Sequence, residues 1–429
     1  MNAVLLLLLL QDFPPQLPGG RAFVTDASPA LLEPPAGGLR EGVAVARTPP
    51  EVHLMYFPGQ TYPGRPWSAW GDSLWAGGRY YASIGDHLAP DGNALVWEYD
   101  PGERRFRLLV DVRRVLGLPE GHYTPGKIHG RLDRGGDGRL YFSTHRGSPK
   151  ATTDQYHYRG DWILCHDPSA GTTEVVACGP VPRHGIPASV LDPERLIFYG
   201  GTAPGQGGED EARFFAYDLR ARKVLYSGPA GPSRALIFAR STGRVYWVPA
   251  GREDMTGPLL CWDPARGGEP RPLETVLGLR AATEEIPDGR VYTVSKGGRG
   301  AGAVLWAFDT KTEEAEKLGT AEVGTQSYIA SIDADPSGRF LYYMPGAHGG
   351  SELDGTPVVQ FDVRSRRKKV IAFLHAFARD RGGVTLKGTF SAALDGKGEV
   401  LYVAWNVSRG GRAWDCVALT TIRIPASER

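Results

Sequence analysis

The feature that most restricts the fold of this sequence is a short pattern that occurs seven times. A turn ending in Gly-Arg, or a close variant, is followed by an apolar run rich in aromatic residues. The copies are centred on Tyr81, Tyr141, Phe198, Tyr246, Tyr292, Tyr342 and Tyr402. Their spacing is roughly 53 residues, a period typical of β-propeller blades. A stacked β-solenoid would have shorter and more uniform repeats.

Each repeat contains further strand-like segments. An apolar segment ending in Asp follows six copies, at Asp100, Asp167, Asp218, Asp263, Asp309 and Asp362. A short apolar piece precedes each copy, and another strand-like run follows most of the Asp turns. The chain is therefore predicted to be all-β, a seven-bladed β-propeller with four antiparallel strands per blade. The last repeat lacks one strand, which residues 42–47 or 53–57 could supply, so that the ring is closed by joining N- and C-terminal strands.

Composition agrees with this reading. The 57 Gly and 34 Pro residues would break a helical bundle, and the 10% aromatic content is too high for a disordered chain. A formal net charge of +1 gives no overall field that would attract nucleic acid or an anionic membrane. We therefore expect no nucleic-acid partner and no membrane partner, and any anion selectivity must be local.

The N-terminus suggests export. Residues 3–10 form a run of eight apolar residues, which is too short to cross a bilayer but fits the apolar region of a signal peptide. We expect residues 1–20 to be a signal peptide or a disordered N-terminus and residues 21–429 to form a single propeller domain. The protein is then secreted or periplasmic, and we expect a monomer.

Four cysteines are present, and two of them flank one expected hairpin. If that hairpin turned near residues 171–172, Cys165 and Cys178 would face each other and could form a disulfide in an oxidising compartment. Two half-buried strand cysteines are the alternative. No CxxC motif occurs, which argues against a cysteine-based zinc site.

Histidines are concentrated in the second and third repeats. Six of the ten lie between residues 122 and 184. His129 and His145 fall on neighbouring strands of one blade, and His184 begins the next. Because the first strand of each blade lines the channel of a propeller, such imidazoles could perform acid–base chemistry or bind a metal.

The stretch GKIHGRLDRGGDGRLYFSTHRG, followed by FYGGT and ARFFAYD, resembles the seven-bladed propeller polysaccharide lyases that degrade ulvan. In that family two His residues of one blade are followed by a Tyr and an Arg of the next. The resemblance therefore implies catalytic roles for His129, His145, Tyr199 and Arg213. Further channel positions are expected to bind substrate, namely His184, Arg234, Tyr246, Tyr328 and His348.

The implied reaction is β-elimination on a uronate-containing, anionic polysaccharide or oligosaccharide. Arg213 and His129 would neutralise the uronate carboxylate. Tyr199, with its pKa lowered by nearby cations, or neutral His145 would remove the C5 proton. No cofactor is required in this scheme, although a structural metal ion is possible.

Three other readings remain open. A lyase similar to oligogalacturonate lyase would hold a channel metal with His129, His184 and His348. A non-catalytic carbohydrate- or partner-binding propeller would use an aromatic platform, for which the candidates are Trp70, Trp75, Trp247 and Trp405. A lactonase-like hydrolase with a central calcium would need inward carboxylates, for which Glu284 and Glu285 are the candidates.

Overall fold

Each Gly-Arg copy forms the second strand of a four-stranded antiparallel sheet, as the sequence predicts. In the computed structural model, which describes residues 13–146, 149–208, 211–297 and 302–429, seven such sheets form a ring. The chain is therefore a seven-bladed β-propeller. The prediction of fold, blade number and strand number is confirmed.

The N-terminal segment and the first three blades contain fifteen strands. Before blade 1 come β1 (Val24–Asp26), β2 (Ala44–Val45) and β3 (Glu51–Tyr56). Blade 1 has β4 (Leu74–Ala76), β5 (Arg79–Gly85), β6 (Ala94–Asp100) and β7 (Arg105–Asp111). Blade 2 has β8 (Asp133–Arg134), β9 (Leu140–Ser143), β10 (Trp162–Asp167) and β11 (Thr172–Cys178). Blade 3 has β12 (His184–Asp192), β13 (Ile197–Pro204), β14 (Phe214–Asp218) and β15 (Lys223–Gly228).

The remaining four blades contain the other fifteen strands. Blade 4 has β16 (Ile237–Ala239), β17 (Arg244–Trp247), β18 (Thr256–Trp262) and β19 (Arg271–Gly278). Blade 5 has β20 (Ala281–Ala282), β21 (Arg290–Val294), β22 (Val304–Asp309) and β23 (Glu314–Thr320). Blade 6 has β24 (Ile332–Ala334), β25 (Phe340–Tyr343), β26 (Pro357–Asp362) and β27 (Arg367–Phe373). Blade 7 has β28 (Thr385–Leu394), β29 (Val400–Ser408) and β30 (Cys416–Arg423).

Helix is scarce. The α-helices are α1 (Val112–Leu116) and α2 (His375–Gly382). Single 3-10 turns occur at Pro18–Gly20, Pro29–Leu32, Pro149–Ala151, Asp154–Tyr156, Ser351–Asp354 and Ala426–Glu428. Within the described ranges, no helix has the length and apolar character needed to cross a membrane.

The recurring Asp after the third strand has a local function. Asp100 Oδ1 accepts a hydrogen bond from the backbone N–H of Gly102 at 2.9 Å. Asp309 Oδ1 does the same for Lys311 N at 2.8 Å, and Asp362 Oδ1 for Arg364 N at 2.9 Å. Such Asp turns hold the outer hairpins of blades 1 to 6, because the side chain replaces a backbone acceptor. The repeat therefore encodes turn geometry at this position.

The N-terminal strand β3 closes the ring. It pairs antiparallel with β30 of blade 7, with Leu54 opposite Thr420, and β1 pairs with its other edge. The segment containing residues 53–57 is thus the missing strand. Residues 44 and 45 form β2, which adds in parallel to the outer strand β27 of blade 6 instead.

Aromatic side chains of the second and third strands fill the spaces between blades. Tyr80 of blade 1 stacks on Tyr402 of blade 7 with ring centroids 5.2 Å apart, and Phe214 of blade 3 stacks on Trp247 of blade 4 at 4.0 Å. Large aromatic rings bury much apolar area and their contacts add to its effect. The packed region also begins before residue 21, because Leu17 is 3% exposed within the core cluster of blades 6 and 7.

The hairpin of blade 2 does not place its cysteines opposite each other. Cys165 faces Glu174 across the ladder, and Cys178 faces Trp162. The turn lies between Asp167 and Thr172, earlier than the position that the disulfide prediction requires. All four cysteines are free, so the Cys165–Cys178 disulfide is corrected to two separate thiols.

Candidate functional site

Segments that lead into the inner strands bring a set of cationic and aromatic side chains to one mouth of the channel. They come from six of the seven blades, at or just before the inner strand of each. The side chains at these positions are Trp70, Lys127, His129, Arg234, Arg280, Tyr328 and Phe390. Since six blades contribute at similar places, the ring itself creates the site. His87, His145 and His348 join it from loops after the second strands.

Trp70 lies at the centre of this group. Its ring is 4.7 Å from that of Phe390 and 5.6 Å from that of His348. It stacks on His129 at 6.0 Å, and Lys127 Nζ lies 4.7 Å above its face. An aromatic face beside a cation is suited to a sugar ring that carries a negative charge.

His129 is fixed as a neutral imidazole. Its Nδ1 lies 2.9 Å from the carbonyl oxygen of Pro187, and its Nε2 lies 2.9 Å from Nη1 of Arg234. The carbonyl can only accept and the guanidinium can only donate, so Nδ1 carries the proton and Nε2 accepts. Burial, together with Arg234, lowers the pKa of His129 well below its usual value. His129 therefore positions Arg234 and has no free nitrogen to offer a ligand.

His145 lies beside His129, with ring centroids 5.5 Å apart, as the sequence predicts for this pair. Burial and the charge of Lys127 lower the pKa of His145 well below the usual range. Its Nδ1 is buried, and no described atom hydrogen bonds to it. A Cβ on Gly185 would come within 2.7 Å of that nitrogen, so only glycine fits between this ring and blade 3. His145 is thus neutral and tightly enclosed.

Lys127 is the side chain with the most unusual chemistry at this mouth. Burial, followed by the charges of Arg234 and Arg146, lowers its pKa to about 7. The carboxylate that acts on it is Asp161, which already accepts from Thr144 Oγ1 at 2.7 Å and from two tyrosine hydroxyls. Lys127 therefore exchanges a proton near neutral pH and could serve as a base.

Arg234 and Arg280 form the walls of the narrow cavity at the channel entrance. Among the described residues neither guanidinium forms an ion pair, and proximity to Arg280 helps burial to lower the pKa of Arg234. Arg131 and Asp72 also line the cavity. Arg131 forms ion pairs with Asp133 and Glu284. Burial raises the pKa of Asp72, although the charge of Arg131 acts to lower it. The enclosed space of about 40 Å³ can hold a carboxylate or a water molecule but not a sugar ring. Two guanidinium groups without ion-pair partners among the described residues face this space, an arrangement suited to an anion.

Tyr328 lies next to this cavity. Its hydroxyl oxygen accepts a hydrogen bond from Arg280 Nε at 2.7 Å, and the guanidinium carbon of Arg280 lies 5.1 Å from its ring centroid. Since the oxygen accepts, the hydroxyl hydrogen remains available to a ligand. Arg280 also lies 5.5 Å from the ring of Phe390, which fixes the guanidinium between two aromatic faces.

Tyr199 does not belong to this site. It is 0% exposed in the core between blades 3 and 4, where its ring lies 6.2 Å from Phe214 and 5.9 Å from Trp262. Burial raises its pKa. The prediction that Tyr199 shares a site with the two histidines is wrong, because its side chain points into the packing between blades and away from the channel.

Arg213 also lies elsewhere. Its guanidinium donates to Ser227 Oγ at 3.3 Å and to the Ser227 carbonyl at 3.2 Å on the outermost strand of blade 3. The outward position of β14, the third strand, takes this side chain away from the channel. The implied set of His129, His145, Tyr199 and Arg213 is therefore not assembled, although its two histidines are.

Of the five residues expected to bind substrate, some lie at the channel mouth and others lie outside the site. Arg234, Tyr328 and His348 lie at the channel mouth. Tyr246 is 0% exposed and donates to Glu313 Oε1 at 3.1 Å in the contact with blade 5, so its assignment is wrong. His184 is buried with Nδ1 2.8 Å from Thr202 Oγ1, beside the site and outside the cavity lining.

The site does not fit the metal alternative. His129 uses both ring nitrogens, and four cationic side chains surround it or its neighbours. In the described part of the chain, no three His, Cys, Asp or Glu side chains converge with metal-ligand geometry. Glu284 forms ion pairs with Arg131 and Arg240, and Glu285 accepts from Ser241, so these two do not provide a free carboxylate pair.

Sequence reasoning missed Lys127, Arg280 and His87 as functional candidates, and it weighed Trp70 only as a possible platform. A usable signal was present. Lys127 lies two residues before His129, and Arg280 and Trp70 occupy the same lead-in position in their own repeats as Arg234 does. An alignment of the seven lead-in segments with one another would have revealed this set.

Comparison with known proteins supports the fold. No protein-family model matches the sequence, and no curated protein is similar to it in sequence. Among solved structures, an oligogalacturonate lyase in complex with manganese has a TM-score of 0.53 at 13% identity, covering 91% of this chain and 97% of that chain. The mitotic checkpoint complex matches with a TM-score of 0.50 at 11% identity, covering 87% and 94%. U3-55K matches with a TM-score of 0.50 at 11% identity, covering 84% and 97%. These likenesses establish the propeller and leave the activity to be argued from the site.

Proposed function

We propose that this propeller is a polysaccharide lyase that binds a uronate unit at the channel mouth and cleaves it by β-elimination. The observation that carries the proposal is the cavity between Arg234 and Arg280. It has the size of a carboxylate and two guanidinium walls without ion-pair partners in the described residues. A uronate carboxylate in this cavity would leave its ring beside the partly exposed Trp70, which packs on the buried Phe390.

The chemistry needs a group that neutralises the carboxylate. Bidentate contacts from Arg234 and Arg280 would draw charge from the carboxylate and make the C5 hydrogen more acidic. His129 supports this step by holding Arg234 in place through Nε2. These residues replace Arg213 in the role that the sequence resemblance implied.

The proton steps follow from Lys127 and Tyr328. Unprotonated Lys127 Nζ removes the C5 proton, the C5–H electron pair forms the C4–C5 double bond, and the C4–O bond breaks. The leaving oxygen takes the hydroxyl proton of Tyr328, and the resulting phenolate is stabilised by Arg280 Nε. Solvent then restores both protonation states, so the reaction is balanced without a co-reactant.

The substrate is proposed as a uronate-containing polysaccharide, with ulvan and polygalacturonate as the two polymers to test. Ulvan comes from the resemblance in blades 2 and 3. Polygalacturonate is suggested by a structural neighbour of the same propeller fold that is an oligogalacturonate lyase. Export to the periplasm or the exterior, proposed from residues 3–10 outside the described residues, would bring the protein to such polymers.

The test is formation of the unsaturated uronate product, followed by its ultraviolet absorbance. Lys127→Met and Tyr328→Phe should each lower kcat by about a hundredfold or more. Arg364→Ala, at an exposed outer hairpin, is the control and should retain full rate. In the unaltered protein kcat/KM should increase with pH through about 7, as Lys127 loses its proton. Full activity in both variants would contradict the assignment, and tight binding of the polymers without product would indicate a binding protein.

A further inference from the structure

A second groove lies beside the channel mouth, on the side where blades 7 and 1 meet. It has a volume of about 590 Å³ and lies between residues 63–66 of the segment before blade 1 and residues 412–414 of blade 7. Trp414 is the side chain that joins it to the central site. Its ring lies 6.0 Å from Trp70 and 5.6 Å from His348. Trp414 therefore lies between the groove and the proposed uronate site, in contact with two side chains of that site.

Three aromatic rings in contact connect the central site with the groove. Phe390 lies 4.7 Å from Trp70, and Trp70 lies 6.0 Å from Trp414. These rings are packed against one another, and because Phe390 is 3% exposed, Trp70 and Trp414 are the two that a ligand can reach. Trp414 Nε1 is buried, and no described atom hydrogen bonds to it, so the indole keeps an unused donor at this place.

The groove is also positively charged. Arg65 and Arg412 line it, both are exposed, and neither forms an ion pair within the described ranges. No Asp or Glu is part of its lining. Many other surface arginines of this protein are paired, such as Arg366 with Glu316 and Arg222 with Glu174. Two unpaired guanidinium groups beside an aromatic ring are complementary to an anionic sugar.

We propose that this groove, defined by Arg65, Arg412 and Trp414, binds the uronate units that follow the one held at the channel mouth. The inference rests on the proposed function and extends it: the ligand is an anionic oligosaccharide of at least three units. A single uronate would occupy only the central site, with its carboxylate in the cavity and its ring outside it. Affinity should then increase with chain length through contacts that do not touch the reacting atoms.

The experiment is calorimetric titration of the full chain with galacturonate and with its linear tetramer at about pH 5.5. At this pH Lys127 is protonated, so the base is inactive while the sugar carboxylates remain ionised. The unaltered chain should bind the tetramer at least tenfold more tightly than the monomer. Trp414→Ala should remove about tenfold of tetramer affinity and leave monomer affinity unchanged.

Matched control variants show whether a loss of tetramer affinity comes from the groove or from any loss of an indole or a positive charge. Trp75→Ala removes an indole from the opposite face, where it stacks on Tyr402, and should not change the length dependence. The double variant Arg65→Ala, Arg412→Ala changes only exposed side chains and should weaken tetramer binding alone. Arg364→Ala is its control.

The outcomes are distinct. Loss of the length dependence in both groove variants supports the proposal. Equal affinity of the unaltered chain for monomer and tetramer, or a length dependence that survives both variants, overturns the groove assignment and leaves the central site intact. Failure of both probes to bind the unaltered chain overturns the proposed function and the groove together.

Discussion

Lys127 shows how a single residue can gain reactivity from its surroundings. Its ammonium group must lose solvent, and it lies near Arg234 and Arg146 while Asp161 is already saturated with hydroxyl donors. Burial, Arg234 and Arg146 favour the neutral amine of Lys127, and Asp161 favours the charged form. A bound carboxylate, which is the ligand proposed above, would place a negative charge near Lys127 and raise its pKa again. The same residue therefore couples binding to proton uptake.

A stability measurement tests this description independently of any activity. Below about pH 7 the folded protein carries a charged, poorly solvated Lys127, and between about pH 7 and 10.5 the folded state holds it neutral while the unfolded state holds it charged. The contribution of Lys127 to the free energy of unfolding therefore increases with pH across that window. Lys127→Met should raise the melting temperature by several degrees at about pH 6, with a smaller gain at about pH 9.

The control for this prediction is Lys397→Met, at the exposed turn of blade 7. It should change the melting temperature little and equally at both pH values. A Lys127→Met gain that is the same at both pH values would contradict a lowered pKa.

At the residue scale the sequence predicted part of the site. It identified His129, His145, Arg234, Tyr328 and His348, because they lie at positions that a propeller places around its channel. It misplaced Tyr199 and Tyr246, because an aromatic residue on a second strand can face the channel side or the packing between blades. The direction in which such a side chain points depends on strand register and on the neighbouring blade. The sequence of one repeat does not determine either of them. Lys127 was missed because its lowered pKa arises first from burial in the folded ring and then from Arg234 and Arg146, of which Arg234 belongs to another blade.

At the element scale the ring depends on β3. This strand has partners on both edges, β30 and β1, and Leu54 within it is fully buried. The sequence indicated that an N-terminal segment must close blade 7, but it offered two candidates with similar apolar character. The structure uses both, with β3 in the closing position and β2 as an added outer strand.

Proline substitutions should distinguish the two strands. Leu54→Pro removes a ladder hydrogen bond and a buried side chain from a strand paired on both edges, and it should lower stability by about 3 kcal/mol or more. Val45→Pro lies in the short outer strand β2 and should cost less than half as much. Chemical unfolding of the two variants provides the comparison, and equal losses would contradict the closing role of β3.

The hairpin between β10 and β11 supports a prediction about redox chemistry. Since Cys165 faces Glu174 and Cys178 faces Trp162, the folded protein should contain four free thiols. Reductant should leave the melting temperature unchanged. Alkylation of the native protein should label the exposed Cys178 well before the three buried cysteines, as read by mass spectrometry. A Cys165–Cys178 cross-link in the purified protein would show a different register in this hairpin.

At the scale of the whole molecule the net charge is close to zero, but the two mouths of the channel carry opposite charges. One mouth carries Lys127, Arg234 and Arg280, and the other carries Asp333 and Glu284. Asp72 and Arg131 lie between them, because they line both cavities, and Asp133 pairs with Arg131. Burial raises the pKa of Asp133 to about 6 and that of Asp333 well above its usual value. The sequence predicted the ring and its seven blades from the repeat. It did not predict which mouth would be cationic, because that property depends on which lead-in positions differ between repeats.

This asymmetry makes a prediction about ionic strength. If an anionic polysaccharide binds at the cationic mouth, its affinity should fall steeply with added salt, because screening weakens attraction between exposed charges. Arg280→Gln removes one charge from that mouth and should reduce both the affinity and its dependence on salt. Glu284→Gln changes a charge at the opposite mouth, where Glu284 pairs with Arg131 and Arg240, and should leave both nearly unchanged. Titrations of the three proteins with polygalacturonate over a range of salt concentrations measure these slopes. An equal change in both variants would mean that the polymer responds to the total charge of the protein and not to one face of the ring.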